Sequence, residues 1–246
     1  MRQIIGMLGA RGSGKDTCAA VLVNELGFIR IGFADTLYQE AADAFRTTVE
    51  YLGNRKSKEL PQTPLALSRC VSVHFVEIAL KSATRDRSLR DAALHYFKTG
   101  ELTPHVSARR TRGVLKAARS PRWTLQLWGT EFRRKSKYGY DSYWLDQVRA
   151  AVNAQPGKCF VITDVRFKNE AFFVVSIGGV LHRVRRPALE ARDAAERKVT
   201  GLAAHPSETE LLDHPVDFEF LNEEGQLAQL RLDVLQQAGF LEKKAA

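Results

Sequence analysis

The sequence predicts an α/β fold built on a parallel sheet, and three observations carry the prediction. A short apolar run, IIGML (Ile4–Leu8), passes straight into a glycine-rich loop and then into a segment of helical periodicity. Apolar runs of strand length recur further along, each separated from the next by helical patterning. Residues 51–120 interrupt this alternation with helical patterns of their own and with concentrated positive charge.

IIGML is apolar throughout, as a parallel strand buried on both faces is, and it ends at glycines. From Lys15 to Leu26 the residues Ala19, Leu22, Val23 and Leu26 fall at helical spacing. FIRIGF (residues 28–33) predicts a second strand, and Thr36 to about Val49 a helix. CFVIT (159–163), GVLHRV (179–184) and DFEFL (217–221) predict three further strands with helical stretches between them. Alternating strand and helix implies a parallel sheet covered on both faces. Within residues 51–120, helical patterns run near Asp86 to Lys98 and Ser107 to Ala118, and Pro61, Pro64 and Pro104 break the chain. VSVHF (71–75) alternates like a strand yet continues into VEIALK, which reads as helix, and periodicity leaves both readings open. The expected organisation is a core in two parts, residues 1–50 and 121–246, around a mostly helical basic insertion at 51–120.

Bulk composition narrows the class. At 246 residues, with 44% hydrophobic and 26% charged residues, the chain has the balance of a globular protein with one substantial core. Cys18, Cys70 and Cys159 are odd in number and set among apolar residues, the pattern of reduced thiols rather than a disulfide framework. No apolar run approaches the roughly 20 residues of a membrane span, and MRQIIGMLGARG lacks the basic and long apolar regions of a secretion signal. A soluble, cytoplasmic protein without membrane contact is the expectation. The net charge of +9 is local: residues 51–120 hold 14 Lys and Arg against 5 Asp and Glu, so the rest of the chain is neutral.

The loop GARGSGKDT matches G-x-x-x-x-G-K, with Gly9, Gly14 and Lys15 in register between a predicted strand and a predicted helix. Glycines allow the backbone to wrap a phosphate chain with its amides turned inward, and the helix N-terminus adds partial positive charge. Lys15 can bridge the β- and γ-phosphates. Where this pattern normally has a Ser or Thr to ligate Mg²⁺, the chain has Asp16, with Thr17 next, and which of the two meets the metal stays open. VITDVRFKNE (161–170) places Asp164 just past a strand, where an acid can hold the metal through water. Nucleotide hydrolases commonly follow this acid with a water-activating Glu; Val165 and Arg166 stand here instead, which favours transfer to an acceptor other than water. Arg166 can grip an oxyanion, or form a surface pair with Glu170 four residues on. HRVRRP (182–187) offers Arg183, Arg185 and Arg186, with Arg192 and Arg197 following, as groups able to stabilise a transferring phosphoryl or as a solvated basic face. SPRWTLQLWGTEFRR (120–134) interleaves Arg122, Gln126, Thr130, Glu131 and Arg133 with Trp123, Trp128 and Phe132, equally the composition of a nucleotide reader or of an amphipathic core helix. His205 and His214 lack partners at zinc-ligand spacing.

These blocks, with FAD (33–35), the Tyr143–Trp144 pair, HPSE (205–208) and LNEEGQLAQL (221–230), resemble the phage-type deoxynucleoside monophosphate kinases in their order and over nearly the whole chain outside 51–120. The resemblance implies a P-loop kinase fold: a five-stranded parallel sheet flanked by helices, with a monophosphate-binding region and a mobile lid at about 185–205. Residue by residue it implies that Arg11, Gly12, Ser13, Gly14, Lys15, Asp16 and Thr17 wrap the ATP phosphates after Gly9, with Arg11 near the transferred group. Arg122, Gln126, Gly129, Thr130, Glu131 and Trp144 would shape the deoxynucleotide pocket, together with Asp35 and the position of Tyr38. Asp164, Arg166 and Glu170 would sit at the junction of the two substrates, Arg186 at the lid and Asn222 near the adenine. Metal ligands would come from Asp16, Thr17 and Asp164. The family usually carries a lysine shortly after the FAD motif; Tyr38 stands there, and an arginine of the basic insertion is the expected substitute.

The activity implied is ATP- and Mg²⁺-dependent phosphorylation of a free deoxynucleoside 5′-monophosphate, and the related kinases suggest a homodimer. An alternative drawn from the basic stretch is a kinase of the same fold acting on a base or sugar within DNA, since nine surplus charges in 70 residues could track a polynucleotide backbone. A nucleotide-binding switch without transfer activity would keep the loop but not need the convergent arginines.

Overall fold

A computed structural model describes residues 2–200 and 210–245. The chain divides into two compact units, Met1–Phe33 with Leu145–Ala246, and Ala34–Trp144. The basic stretch lies inside the second unit, which extends to either side of it.

The first unit holds a five-stranded, all-parallel sheet in the order β2-β3-β1-β4-β5, formed by β1 (Ile4–Leu8), β2 (Ile29–Ile31), β3 (Phe160–Ile162), β4 (Val180–Arg185) and β5 (Phe218–Leu221). All five strand expectations from the sequence are met. In β1, pleating sends Ile5 and Met7 to one face, where they join Cys18, Ala19 and Leu22 of α1 (Lys15–Leu26) and Leu230, Val234 and Ala238 of α11 (Leu227–Ala245). Gly6 faces the other way, toward Val174 of α9 (Lys168–Ser176). Both faces are therefore covered, which is why these strands read as unbroken apolar runs. Phe33 and Phe173 meet edge to face at 5.9 Å on the α9 side.

Helix α1 stops at Gly27, whose left-handed φ of 69° suits the residue, and Phe28 then donates to the Leu22 carbonyl at 3.1 Å. Within β4, His182 is 2% exposed, with its ring 6.0 Å from that of Phe218 and 5.4 Å from that of Phe220. Beyond β4 the chain enters α10 (Pro187–Thr200), where the expected lid begins. His205, the HPSE block at 205–208 and the end of that lid lie outside the described residues.

The second unit is helical: α2 (Phe33–Phe45), α3 (Val49–Gly53), α4 (Val73–Ala83), α5 (Arg87–Thr99), α6 (Ala108–Lys116), α7 (Pro121–Gln126) and a π-helical segment, Leu127–Phe132, lead to α8 (Tyr143–Asn153). Side-chain caps open five of them: Thr48, Ser72, Asp86, Ser107 and Ser120 each accept from the backbone N–H three residues on. Ser72 settles the ambiguous VSVHF segment as the start of α4, which buries Phe75, Val76, Ala79 and Leu80 on one helical face. Phe75 is the hub of this unit's core, with ring centroids of Phe45, Trp128 and Phe132 at 5.9, 4.6 and 5.8 Å. All three cysteines are free thiols; Cys18 and Cys70 are buried, and burial pushes each up to about 12. Among the described residues no helix is long and apolar enough to cross a membrane.

Candidate active site

Every strand of the first unit ends beside a residue of interest, all on the carboxyl edge of the sheet, where open α/β sheets bind ligands. After β1 comes the loop Gly9–Gly14. Gly14 takes a φ of 110°, and a Cβ there would lie 2.5 Å from Nδ2 of Asn222. Only glycine satisfies both the backbone and the neighbour. Asn222, just past β5, is 7% exposed and donates from Nδ2 to the Ser13 carbonyl at 2.7 Å, while its own N–H donates to the Arg185 carbonyl at 2.8 Å. It therefore fastens the phosphate loop to the ends of β4 and β5. The Ser13 hydroxyl is buried and has no hydrogen-bond partner among the described residues. A phosphate oxygen is a fitting acceptor for that hydroxyl, so the loop suits the group the sequence predicts for it.

Lys15 folds back over the loop, donating to the carbonyls of Gly9 at 2.6 Å and Ala10 at 2.7 Å. Burial, and then repulsion from Arg166, lower its ammonium to about 8 against the opposing pull of Asp16 and Asp164. These four charges thus share one neighbourhood. Asp16 and Thr17 are exposed on the first turn of α1. Asp164, past β3, accepts the Phe33 N–H at 2.8 Å, and its carboxylate lies flat against Gly32, where a Cβ would stand 3.1 Å from both oxygens. Arg166 projects into solvent, and its backbone is held by Glu170, a 3% exposed carboxylate that accepts the N–H groups of Arg166 at 2.8 Å and Phe167 at 3.2 Å. Glu170 thus serves as the inner half of a cap at the start of α9.

Gly12, Gly14, Thr17, Arg186 and Asn222 line one cleft of about 410 Å³ with Glu223, Glu224, Gly225 and Leu227. Arg186 pairs with the exposed Glu224 at 3.3 Å. Arg183 is tied inward, donating to the carbonyls of Leu211 and His214, and Arg185 pairs with Glu190 at 2.6 Å. Of Arg183, Arg185 and Arg186, only Arg186 lines the cleft. Arg11 is exposed on the loop.

In the second unit, SPRWTLQLWGTEFRR is amphipathic, with one set of side chains buried and another facing outward. Leu125, Leu127, Trp128 and Phe132 go to the core, while Gln126 is exposed and Arg122, Thr130 and Glu131 are partly so. The π-helical turn at Leu127–Phe132 carries members of both sets, and such turns occur frequently at functional sites. Trp144 is 3% exposed and donates from Nε1 to the Gly129 carbonyl at 3.1 Å, so these two predicted site residues contact each other directly. Glu131 pairs with Lys135 at 3.2 Å and Arg122 with Glu59. Asp35 is exposed on the first turn of α2, one turn before Tyr38.

Sequence reading missed Glu40. Its Oε2 accepts from Trp128 Nε1 at 2.7 Å and Arg133 Nε at 2.8 Å, and its Oε1 accepts the Tyr143 hydroxyl. Burial and that hydrogen bond push the Tyr143 phenol up to about 12. Glu40 thus ties α2, the π-helical turn and the start of α8 together. No motif signals it, because its partners lie 88 to 103 residues away. Lys58 was missed as well: its ammonium donates to the Tyr38 hydroxyl.

The glycine loop, its lysine and the parallel sheet define a P-loop kinase fold. No family model matches the chain. It is 28% identical over 247 residues to the deoxynucleoside-5′-monophosphate kinase of Escherichia phage T5, a match covering 95% of each protein. It is also 27% identical over 215 residues to a protein of Acanthamoeba polyphaga mimivirus provisionally named deoxynucleotide monophosphate kinase, covering 85% of this chain and 81% of that one.

Proposed function

We propose that the protein is a phosphotransferase that moves the γ-phosphoryl group of ATP onto a deoxynucleoside 5′-monophosphate, giving ADP and the deoxynucleoside diphosphate. The observation that carries this reading is similarity along nearly the full chain to two proteins named for that activity. The sheet edge supports it: Asp164 is followed by Val165, which is 2% exposed, and not by an acid that could activate water.

In this reading Lys15 leaves the carbonyls of Gly9 and Ala10 for the β- and γ-phosphates. The loop amides and the Ser13 hydroxyl supply neutral donors. Asp16, Thr17 and Asp164 offer hard oxygen ligands of the kind Mg²⁺ prefers. When bound, that ion neutralises the phosphate oxygens. Arg11, Arg166 and Arg186 supply guanidinium groups for charge on the transferring phosphoryl, and Glu170 holds the backbone from which Arg166 projects. The acceptor phosphate is already ionised, so the protein's task is positioning and charge neutralisation rather than proton removal.

ATP's base takes the cleft beside Asn222 and Arg186, and helix α10, which starts just after Arg186, begins the lid. The acceptor nucleotide is read from the second unit by Asp35, Tyr38, Arg122, Gln126, Thr130 and Glu131. Gly129 and Trp144 frame that turn. A panel of deoxynucleoside monophosphates, modified pyrimidines included, mixed with ATP and Mg²⁺, is expected to yield a diphosphate in at least one case. No diphosphate from any of them would refute the assignment.

Residues 51–120 form an insertion in the kinase core whose surplus charge guides anionic substrates, with DNA contact as the competing role. Negligible gel-shift of duplex and single-stranded DNA at low salt would remove DNA contact. A homodimer is checked by sedimentation. A cytoplasmic location suits an enzyme working on nucleotide pools.

A further inference from the structure

We propose that Lys58 and Tyr38 form a paired oxyanion site that holds the phosphate of the acceptor nucleotide, an inference that rests on the transfer reaction above. The Lys58 ammonium donates to the phenolic oxygen of Tyr38 and lies 5.1 Å from the centroid of its ring. Among the described residues, no carboxylate lies within ion-pair distance of it. Arg122 beside it is occupied by Glu59, and Arg119 is half-buried with its guanidinium 4.8 Å from the Trp123 ring.

Two of the three ammonium hydrogens are therefore left to donate. The Tyr38 oxygen accepts from Lys58, so its own hydrogen is also directed elsewhere. One positive charge with three unmatched donors on a half-buried pair complements a phosphate monoester, which brings two negative charges and three terminal acceptor oxygens. Hydrogen bonding from ammonium to phenol also polarises the O–H, strengthening it as a donor to an anion.

The pair is built rather than accidental. The Lys58 carbonyl accepts the Arg122 N–H at 3.0 Å, and the Ser57 carbonyl accepts Gln62 Nε2 at 3.0 Å. Gln62 and Arg119 exchange backbone hydrogen bonds of 2.9 and 3.2 Å. The loop carrying Lys58 is thus fastened along the start of α7. Tyr38 follows Asp35 by three residues on α2, so the two share a helix face.

The test uses the full-length protein and its variants Lys58→Met and Tyr38→Phe. Steady-state KM is measured for the preferred deoxynucleoside monophosphate and for ATP, and binding is measured for that monophosphate and for the matching uncharged deoxynucleoside. Loss of a charge-assisted contact to phosphate predicts a rise of about 10- to 100-fold in monophosphate KM for Lys58→Met, and a smaller rise for Tyr38→Phe. ATP KM and deoxynucleoside affinity stay near wild type, so the preference for the phosphorylated ligand collapses. Wild-type turnover together with an unchanged preference in Lys58→Met overturns the pair while leaving the transfer reading intact. Absent turnover in the wild type overturns the reading and the pair with it. Should Lys58→Met fail to fold, Tyr38→Phe decides alone, and an unchanged monophosphate KM in that variant counts against the proposal.

Discussion

The side-chain amide of Asn222 donates 2.7 Å to the carbonyl of Ser13, joining the turn after β5 to the phosphate loop after β1 across 209 residues. The family resemblance implies a place for Asn222 near the adenine. In the structure Asn222 lines the cleft of about 410 Å³, and its amide is bonded to the loop. Asn222→Ala is expected to lower stability by about 1–3 kcal/mol, by stranding a buried carbonyl, and to raise the KM for ATP more than that for the acceptor. Gly14→Ala is expected to be worse, since it forces a φ of 110° on an alanine and drives its Cβ into the same amide. Urea melts and separate substrate titrations check both; an Asn222→Ala protein with wild-type ATP affinity would show that the loop holds its shape unaided.

Lys15 carries a pH prediction. Its ammonium is lowered to about 8, first by burial and then by Arg166, so the nucleotide-free protein loses this proton well below the ordinary lysine value of 10.5. Phosphate binding needs the charged form. ATP affinity should therefore weaken by up to about tenfold between pH 7 and pH 9. Arg166→Gln removes the second cause and should move the midpoint of that decline upward. Calorimetric titration across this range reads both effects, and a flat profile would contradict the assigned environment of Lys15.

What was legible in the sequence was what neighbouring residues determine. Strand β1, its loop and helix α1 follow from apolar runs, glycines and helical spacing, and the remaining strands from the same period. VSVHF was ambiguous because five residues cannot separate period 2 from 3.6; the cap from Ser72 to Phe75 decided for helix. Phosphate-loop residues were found because one short motif carries them. Asn222 as a buttress, Glu40 as a hub and Lys58 as the partner of Tyr38 were not, since each depends on a side chain brought close by folding. Glu170 was named for the substrate junction and lies buried as a helix cap, because a carboxylate at that spacing suits either role.

Glu40 accepts from Trp128, Arg133 and Tyr143, with its own side chain 18% exposed and that of Arg133 23% exposed. Removing a mostly buried carboxylate strands all three donors, so Glu40→Ala is expected to cost about 2–4 kcal/mol. The π-helical turn bearing Thr130 and Glu131 loses its anchor, and acceptor KM should rise while ATP affinity holds. Glu40→Gln, which keeps one acceptor oxygen, should recover part of both. Equal loss of ATP and acceptor affinity would point to general unfolding instead.

His182 predicts the acid limit of stability. Burial lowers its imidazole to about 4 against the pull of Asp217, and Nε2 has no hydrogen-bond partner among the described residues. The folded value lies below the ordinary 6.5, so the unfolded chain binds the proton more readily. Stability from this site is complete above about pH 6.5 and is lost as pH falls toward 4, a contribution on the order of 3 kcal/mol. His182→Phe should flatten the pH dependence of urea unfolding between pH 6.5 and 4. An unchanged slope would mean that the histidine is accommodated in its charged form.

The destination of the ATP γ-phosphate tests the central claim most directly. With γ-labelled ATP, Mg²⁺ and a panel of deoxynucleoside monophosphates, the label should appear in a deoxynucleoside diphosphate, with little in inorganic phosphate and none when Lys15→Ala replaces the wild type. Label released only as inorganic phosphate, or retained in ATP with every acceptor, would contradict it.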